Sequence, residues 1–162
     1  MLRNASPIYI ITFDFILGVL WHLLMLFACI YMPSGTFNSN RLMYRKRKWE
    51  ADGKWYTQCI KINKWKDFLP QRVGSDGFSK AHFTSTSMEY VDRFIFETCR
   101  GEWNHKMNCF YGIVPLLISP LKYGIAFTLL SLLLNLPFVA IQRYNRIRLV
   151  RVKEKLEKRR EE

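Results

Sequence analysis

A cluster of ionisable side chains lies between residues 97 and 105 of this 162-residue chain. Glu102 and His105 are three positions apart, so on a helix they stand on neighbouring turns of one face. A carboxylate beside an imidazole can hold its tautomer and stabilise the imidazolium, which a general base needs when it deprotonates a hydroxyl nucleophile. The spacing makes His105 a candidate general base and Glu102 its candidate partner. A structural ion pair at the end of a membrane helix would have the same spacing.

Further side chains could bind a substrate beside this pair. Glu97 and Arg100 lie about one to two helical turns before His105. Residues 143–146 follow after two apolar segments. Arginine binds phosphate and polarises carbonyl groups, although basic residues at such positions also anchor membrane proteins. Two lysines that flank an indole ring are typical of a membrane interface. The candidate substrate-binding residues are Glu97, Arg100, Arg143, Tyr144, Asn145, Arg146, Lys64, Trp65 and Lys66.

Two ionisable residues, Asp14 and His22, lie inside an apolar segment, where such residues usually face a partner or a cavity. His22 has no polar residue three or four positions away, so we expect a packed, hydrogen-bonded histidine rather than a catalyst. Glu97, Glu102 and His105 lack the two-histidine spacing of a specific metal motif. The sequence therefore predicts neither a metal nor a cofactor.

Three apolar segments must position these side chains. Residues 8–32 form a run of 25, and residues 123–141 hold 19 without a charge; spanning a bilayer takes about 20. The first run exceeds the roughly 7–15 residues of a signal-peptide core, which favours a retained helix. Residues 107–121 form a shorter apolar stretch of 15, which reaches 19 when it is extended back to Trp103 and which fits a short or re-entrant helix. The run Ser119-Pro120-Leu121-Lys122 then permits only a tight turn. The last two segments are therefore predicted to form an antiparallel hairpin.

The region between the first segment and the hairpin, residues 33–102, is too rich in aromatic residues for a solvated tether. Residues 41–49 mix apolar and basic side chains, the composition of a helix on anionic lipid head groups. Residues 56–62 have a short β-like pattern, and residues 73–85 have the composition of a loop. A capping pattern predicts that a helix begins at Ser87.

The basic residues behind the net charge of +12 lie mainly outside the apolar segments. Of the 25 lysines and arginines, 14 lie in residues 33–106 and nine in residues 143–162, which leaves Arg3 and Lys122. The positive-inside rule places the N-terminus and the hairpin tip outside, and the middle region and tail in the cytoplasm. No nucleic-acid recognition motif is visible, so nucleic acid is not an expected partner. The four cysteines show no paired spacing and are expected to be free thiols.

The predicted fold is mainly α and integral to the membrane. It has one N-terminal transmembrane helix and a C-terminal transmembrane helical hairpin around a cytoplasmic interfacial region with a short β-like segment. We expect a multi-pass protein of the cell membrane and a single membrane domain over residues 1–162. Its parts are a transmembrane helix at 8–32, the interfacial region at 33–102, the hairpin at 103–121 and 123–141, and a basic helical tail at 142–162.

Four motifs follow one another along the chain: Glu50 with Gly53-Lys54; Lys64-Trp65-Lys66; Glu97-Thr98-x-Arg100-x-Glu102-x-x-His105; and Gln142-Arg143-Tyr144-Asn145-Arg146 followed by Arg148-Leu149. In order and spacing they resemble the glycosyl-4,4'-diaponeurosporenoate acyltransferases, small membrane proteins of staphyloxanthin-type carotenoid biosynthesis. The resemblance implies transfer of a fatty acyl group to the primary (C6) sugar hydroxyl of a membrane-embedded glycosylated carotenoid. The sequence departs from the family form at Ile147 and over residues 73–85, which leaves another glycolipid or a polyprenyl sugar open as acceptor.

The resulting hypothesis is a membrane acyltransferase in which His105, oriented by Glu102, deprotonates an acceptor hydroxyl as it attacks an acyl thioester such as acyl-CoA. The arginines of the candidate set would bind donor phosphates or stabilise the oxyanion, and Lys64, Trp65 and Lys66 would line the interfacial entrance. The expected partners are membrane lipid, the glycolipid acceptor and the fatty acyl donor. Two alternatives stay open: a non-enzymatic membrane anchor or scaffold that binds anionic lipid or a partner enzyme, and a methyl- or phosphotransferase at the same interface.

Overall fold

The computed structural model describes residue 2, residues 5–70 and residues 87–162. This part of the chain is mainly helical and contains no β-strand. Its α-helices are α1 (Pro7–Tyr31), α2 (Lys54–Gln58), α3 (Met88–Phe110), α4 (Ile113–Ile118) and α5 (Leu121–Glu161). Short turns of 3-10 helix lie at Ser34–Phe37, Lys48–Gly53, Ile62–Lys64 and Lys66–Phe68. The loop predicted over residues 73–85 lies outside the described residues.

The chain divides into two compact units, which are described separately below. Unit 1 comprises Met1–Thr36 and Arg100–Val139, and unit 2 comprises Phe37–Cys99 and Ala140–Glu162. The prediction of a single membrane domain over residues 1–162 stays a prediction.

The first apolar run forms α1, as its sequence predicts. Oγ of Ser6 accepts a hydrogen bond from the N–H of Tyr9 at 3.4 Å, and Pro7 occupies the start of the helix, where its missing N–H costs nothing. Most of the large apolar side chains of α1 are exposed. Within the described residues, α1 and α5 are the two helices long and apolar enough to cross a membrane. Their insertion in a bilayer stays a prediction.

The predicted hairpin is present in unit 1, but its first arm is interrupted. α3 ends at Phe110 and α4 covers only Ile113–Ile118, so residues 103–121 do not form one helix. Oγ of Ser131 donates to the carbonyl of Asn108, and Oγ1 of Thr128 donates to the carbonyl of Gly112, each at 2.8 Å. From Asn108 to Gly112 the first arm runs forward, while its partners on α5 run backward from Ser131 to Thr128. The two arms are therefore antiparallel.

Gly124 allows α5 to pack directly on the backbone of α4. A Cβ atom at Gly124 would lie 2.9 Å from Cα of Leu116 and 2.9 Å from the carbonyl oxygen of Pro115. We therefore expect Gly124→Ala to destabilise the protein by about 1–3 kcal/mol, because backbone atoms cannot move aside as a side chain can. The measurement is the thermal unfolding midpoint in detergent micelles. Gly35→Ala is the control, since no atom lies within 4 Å of its added Cβ; equal midpoints for the two variants would contradict this packing.

Unit 2 is built around the last part of α5, which confirms the predicted helical tail. Ile141, Tyr144 and Ile147 recur every three residues and therefore share one face of the helix. Tyr56 and Ile62 pack on this face and complete a buried apolar core. A second cluster joins α3 to α5 and consists of Val91, Phe94, Ile95 and Leu149.

Two local predictions for residues 33–102 are wrong. The β-like segment at residues 56–62 is not a strand, because Lys54–Gln58 is helical and Ile62–Lys64 forms a 3-10 turn. A strand there would lack a partner among the described residues, whereas local bonds such as Cys59 N–H to the Trp55 carbonyl satisfy the backbone. Residues 41–49 form turns and the start of a 3-10 helix instead of an interfacial α-helix. Tyr44 points inward there and is buried.

The helix predicted from Ser87 is α3, which begins at Met88. Oγ of Ser87 accepts a hydrogen bond from the N–H of Tyr90 at 3.3 Å, as an N-terminal cap does. The four cysteines are free, as the sequence predicts.

Candidate functional site

A cavity of about 620 Å³ lies within unit 1, between α1, α3 and α5. Most of its wall is apolar, and that part is formed by Phe15, Val19, Leu23, Leu26, Phe127, Leu130, Leu134 and Phe138. The polar side chains of the wall are Asp14, His22, Asn104, His105, Asn108, Tyr111, Ser131 and Asn135. A cavity of this kind fits a ligand with a long apolar chain and one polar end.

His105 lines this cavity and is held in place from two sides. Its Nδ1 lies 3.1 Å from Oδ1 of Asn135, and its ring stacks on Phe138 with centroids 4.6 Å apart and planes 8° from parallel. Nδ2 of Asn135 donates to the backbone carbonyl of Ser131 at 2.9 Å, which fixes the direction of the amide. Because Oδ1 of Asn135 can only accept, Nδ1 of His105 carries the hydrogen. In the neutral ring, Nε2 then holds the lone pair that a general base uses.

Asn135 is the hydrogen-bond partner of His105 that the sequence analysis missed. It lies 30 positions from His105, inside a run whose composition predicts only a membrane helix. The available signal was its spacing from Ser131, since the two polar residues stand one helical turn apart on α5. Helical spacing on α3 alone could not reveal a partner on another helix.

Glu102 is fully buried, with 0% of its surface exposed, and its carboxylate forms an ion pair with Lys106 one turn along α3. It is not among the residues that line the cavity. The prediction that Glu102 orients His105 stays a prediction, and Asn135 provides the hydrogen bond that the structure places on Nδ1.

Asp14 and His22 line the same cavity from α1. The buried Asp14 carboxylate accepts hydrogen bonds from Oγ of Ser119 at 2.8 and 2.9 Å, and its backbone carbonyl accepts one from the hydroxyl of Tyr111. Nδ1 of His22 donates to the carbonyl of Gly18 at 2.8 Å. His22 is thus hydrogen-bonded within its own helix, as expected; that it takes no part in catalysis stays a prediction.

A buried ion pair joins Glu50 and Arg143 in unit 2. Nε and Nη2 of Arg143 donate to the two carboxylate oxygens of Glu50, each at 2.9 Å, and Glu50 is 0% exposed. The Tyr56 hydroxyl donates to the same carboxylate at 2.6 Å, and so does the backbone N–H of Arg47. Arg143 also donates to the carbonyls of Met43 and Arg45, both at 3.1 Å. Such bidentate, fully bonded pairs fix geometry strongly.

The electrostatics of this pair follow from its contacts. Burial alone would raise the pKa of Glu50, but the hydrogen bonds from Arg143, Tyr56 and the backbone of Arg47 outweigh it, so the pKa lies below its ordinary value. Burial, and then the neighbouring Glu50 carboxylate, raise the pKa of Tyr56. The pair is therefore ionised and Tyr56 is protonated at neutral pH. The sequence had given Arg143 a substrate-binding role, whereas its guanidinium is bonded to the protein.

A second cavity, of about 830 Å³, lies within unit 2. Its basic side chains belong to Arg45, Lys46, Arg146, Arg151, Lys153, Lys155 and Lys158, and its acidic ones to Asp52, Asp92, Glu154 and Glu157. Arg146 is buried at its wall, where Nε donates to the carbonyl of Tyr44 at 3.2 Å and the guanidinium lies 5.4 Å from the centre of the Tyr44 ring. The excess of basic groups makes this cavity suited to an anion.

The other predicted site residues are not among those that line the two cavities. The Tyr144 hydroxyl donates to Oδ1 of Asn63 at 3.1 Å, and Asn145 and Glu97 are half-buried. Lys64 is exposed, Nε1 of Trp65 donates to the Ile60 carbonyl at 2.8 Å, and Lys66 pairs with Asp67 at 2.6 Å. The carbonyl of Arg100 accepts a hydrogen bond from Cys29. The predicted approach of residues 143–146 to His105 stays a prediction.

Among the described residues, no three His, Cys, Asp or Glu side chains are grouped so that they could hold a metal ion.

Known proteins resemble this chain over most of its length. The family model for glycosyl-4,4'-diaponeurosporenoate acyltransferase matches residues 40–155, which include both the His105–Asn135 and the Glu50–Arg143 pairs. A relative of that name from Staphylococcus aureus strain MRSA252 is 24% identical over 135 residues, 79% of this chain and 78% of the relative. One from strain bovine RF122 / ET3-1 is 23% identical over 133 residues, with the same coverage. No solved structure matches.

These matches agree with the resemblance seen in the four sequence motifs, and the family model spans the residues that hold both pairs together. Because the identity to the relatives is low, the substrates in their names are reported for those proteins alone. The extent of the match decides the family: the chain belongs to the glycosyl-4,4'-diaponeurosporenoate acyltransferase family.

Proposed function

We propose that this chain transfers a fatty acyl group from an acyl thioester to a sugar hydroxyl of a glycosylated carotenoid or a similar membrane glycolipid. The observation that carries the proposal is the position of His105, which Asn135 and Phe138 hold at the wall of an apolar cavity. The names of the family and of its relatives support both the acyl transfer and an acceptor that bears a sugar.

In the proposed reaction, Nε2 of His105 takes the proton of the acceptor hydroxyl while the hydroxyl oxygen attacks the thioester carbon. A carbon–oxygen bond forms, the carbon–sulfur bond breaks, and the thiolate leaves with the proton that the imidazolium returns. Nε2 is the nitrogen without a hydrogen in the neutral ring, because Nδ1 carries the hydrogen that Asn135 accepts. The acyl thioester, such as acyl-CoA, is the co-substrate. Because nothing is oxidised or reduced in the transfer, the step requires no redox cofactor.

The apolar cavity suits both substrates of this reaction. Its leucine and phenylalanine wall lies between α1 and α5, the two helices able to span a membrane, so a fatty acyl or carotenoid chain could enter it without crossing water. We further propose that the N-terminus and the hairpin tip lie outside, and that residues 33–102 and the basic tail lie in the cytoplasm.

The remaining candidate residues have supporting parts in the proposal. Glu102 forms an ion pair with Lys106 on the helix of His105. Arg146 lies at the wall of the basic cavity of unit 2, which suits an anionic group such as a phosphate. Arg100 is a further candidate ligand for a phosphate. Arg143 acts through Glu50, by holding the segment that carries Tyr44 and Arg45. Lys64, Trp65 and Lys66 line the interfacial entrance.

Lipid extracts of cells with and without this chain test the reaction class. Cells that also make a glycosylated carotenoid should contain, only when the chain is present, a glycolipid heavier by one fatty acyl group. A glycolipid that is heavier by a methyl or phosphoryl group would show that the chain transfers that group instead. An unchanged glycolipid would overturn the proposal.

Replacing Asn135 tests whether it positions His105. Asn135→Leu removes the acceptor for the Nδ1 hydrogen, so we expect kcat to fall by about 10–100-fold while KM for both substrates changes little. Asn135→Asp keeps an acceptor but loses the donor to Ser131, and should recover part of kcat. The measurement is steady-state acyl transfer in detergent micelles. Equal kcat values for the wild type and the leucine variant would remove Asn135 from the mechanism.

A further inference from the structure

Two amide side chains beside His105 have unused hydrogen-bond acceptors. Oδ1 of Asn104 and Oδ1 of Asn108 are buried, and neither accepts a hydrogen bond from the part of the chain that the structure describes. Asn108 is 3% exposed. Both residues line the apolar cavity together with His105.

The helix places these three residues on one side of α3. Asn104 and Asn108 are four positions apart and stand one above the other, and His105 lies between them in sequence, within about 100° of both around the axis. Rotation about the Cβ–Cγ bond, which is soft in asparagine, is the motion that would present either amide oxygen to the cavity that its residue lines.

Buried acceptors without a donor are rare in native proteins because each loses its bonds to water and gains nothing in return. Two such oxygens on residues that line one cavity point to a ligand that supplies O–H or N–H groups. In the proposed reaction, two molecules could supply them: the sugar of the acceptor, through its hydroxyls, and the pantetheine arm of the acyl donor, through its amides. The sugar is favoured because its reacting hydroxyl must lie at His105, so the neighbouring hydroxyls of the same compact ring lie beside the residues that flank His105.

We propose that Asn104 and Asn108 form the sugar subsite, in which their amide oxygens accept hydrogen bonds from non-reacting hydroxyls and so hold the reacting hydroxyl at His105. This inference rests on the proposed function. The subsite selects a glycosylated acceptor, because a lipid without the sugar leaves both oxygens unbonded in the complex, and such sites discriminate strongly against ligands that lack the donor.

Binding experiments without an acyl donor test the subsite directly. Full-length chain in phospholipid nanodiscs is titrated with n-dodecyl β-glucoside, with 1-dodecanol and with S-decanoyl pantetheine. The wild type should bind the glucoside more tightly than the alcohol. Asn104→Leu and Asn108→Leu should each weaken glucoside binding by about tenfold, with the affinities for the alcohol and the pantetheine thioester unchanged. Asn108→Asp, which keeps the acceptor, should retain glucoside binding.

A thermal midpoint separates this role from a structural one. Leucine replaces an amide whose buried oxygen has no hydrogen-bond partner in the described part of the chain, so the variants should unfold at the wild-type temperature or above it. Unchanged glucoside affinity in both leucine variants, equal weakening for alcohol and glucoside, or a loss confined to the pantetheine thioester would each overturn the sugar subsite. A wild type that binds the glucoside through these residues but transfers no acyl group would retain the subsite and overturn only the proposed reaction.

Discussion

His105→Ala is expected to lower the rate of acyl transfer by about 10²–10⁴-fold, the usual contribution of a general base. The alanine cannot accept the proton of the attacking hydroxyl, and neither Asn135 nor Phe138, which hold the ring in the wild type, is a base that could take its place. The measurement is the initial rate of acylated glycolipid formation at saturating concentrations of both substrates.

His22→Ala is the matched control for this variant. It removes the same side chain from the wall of the same cavity, but His22 is bonded to the Gly18 carbonyl of its own helix. We expect its rate to stay within a few fold of the wild type. A fully active His105→Ala variant, or equal losses in both variants at equal protein levels, would contradict the assignment of the base.

Glu50→Leu is expected to destabilise the protein by about 3–5 kcal/mol, the cost of leaving a buried charge without its partner. The Arg143 guanidinium would keep its burial but lose both carboxylate hydrogen bonds, and the Tyr56 hydroxyl would lose its acceptor. The measurement is chemical unfolding in detergent micelles, followed by tryptophan fluorescence.

A double variant separates the ion pair from simple packing. Glu50→Leu with Arg143→Met should be less destabilised than the sum of the two single variants, because no unpaired charge is left. Lys46→Met, which breaks an exposed pair with Asp52, should leave stability near that of the wild type. Additive effects of Glu50→Leu and Arg143→Met would show that the pair does not couple.

The helices could be predicted because their signals are local. Ser6-Pro7 starts α1, Ser87 caps α3, and Ser119-Pro120 separates the hairpin arms. Apolar run length alone was enough to identify α1 and the first part of α5, since both signals lie in consecutive residues. The break between α3 and α4 was missed, because the apolar composition continues across it.

The site could be predicted only where it lies on one helix. The cluster on α3 drew attention to His105, but its hydrogen-bond partner Asn135 belongs to α5, and no spacing rule joins them. The same limit applies to Arg143, which the sequence presents as one of several basic residues. Its buried partner Glu50 lies 93 positions away, and only the packing of unit 2 brings the two charges together. The strand predicted at residues 56–62 was wrong for a related reason, because a strand needs a second strand as hydrogen-bond partner and the local pattern does not show whether one is present.

The most direct measurement is acyl transfer by the purified full-length chain in nanodiscs, supplied with a glycosylated carotenoid and an acyl-CoA. Mass spectrometry should show a product in which one sugar hydroxyl hydrogen is replaced by the acyl group, with one free thiol released for each ester formed, and His105→Ala should form almost none. Folded wild-type chain that releases no thiol and forms no ester, or that esterifies the carotenoid equally well without its sugar, would contradict the account.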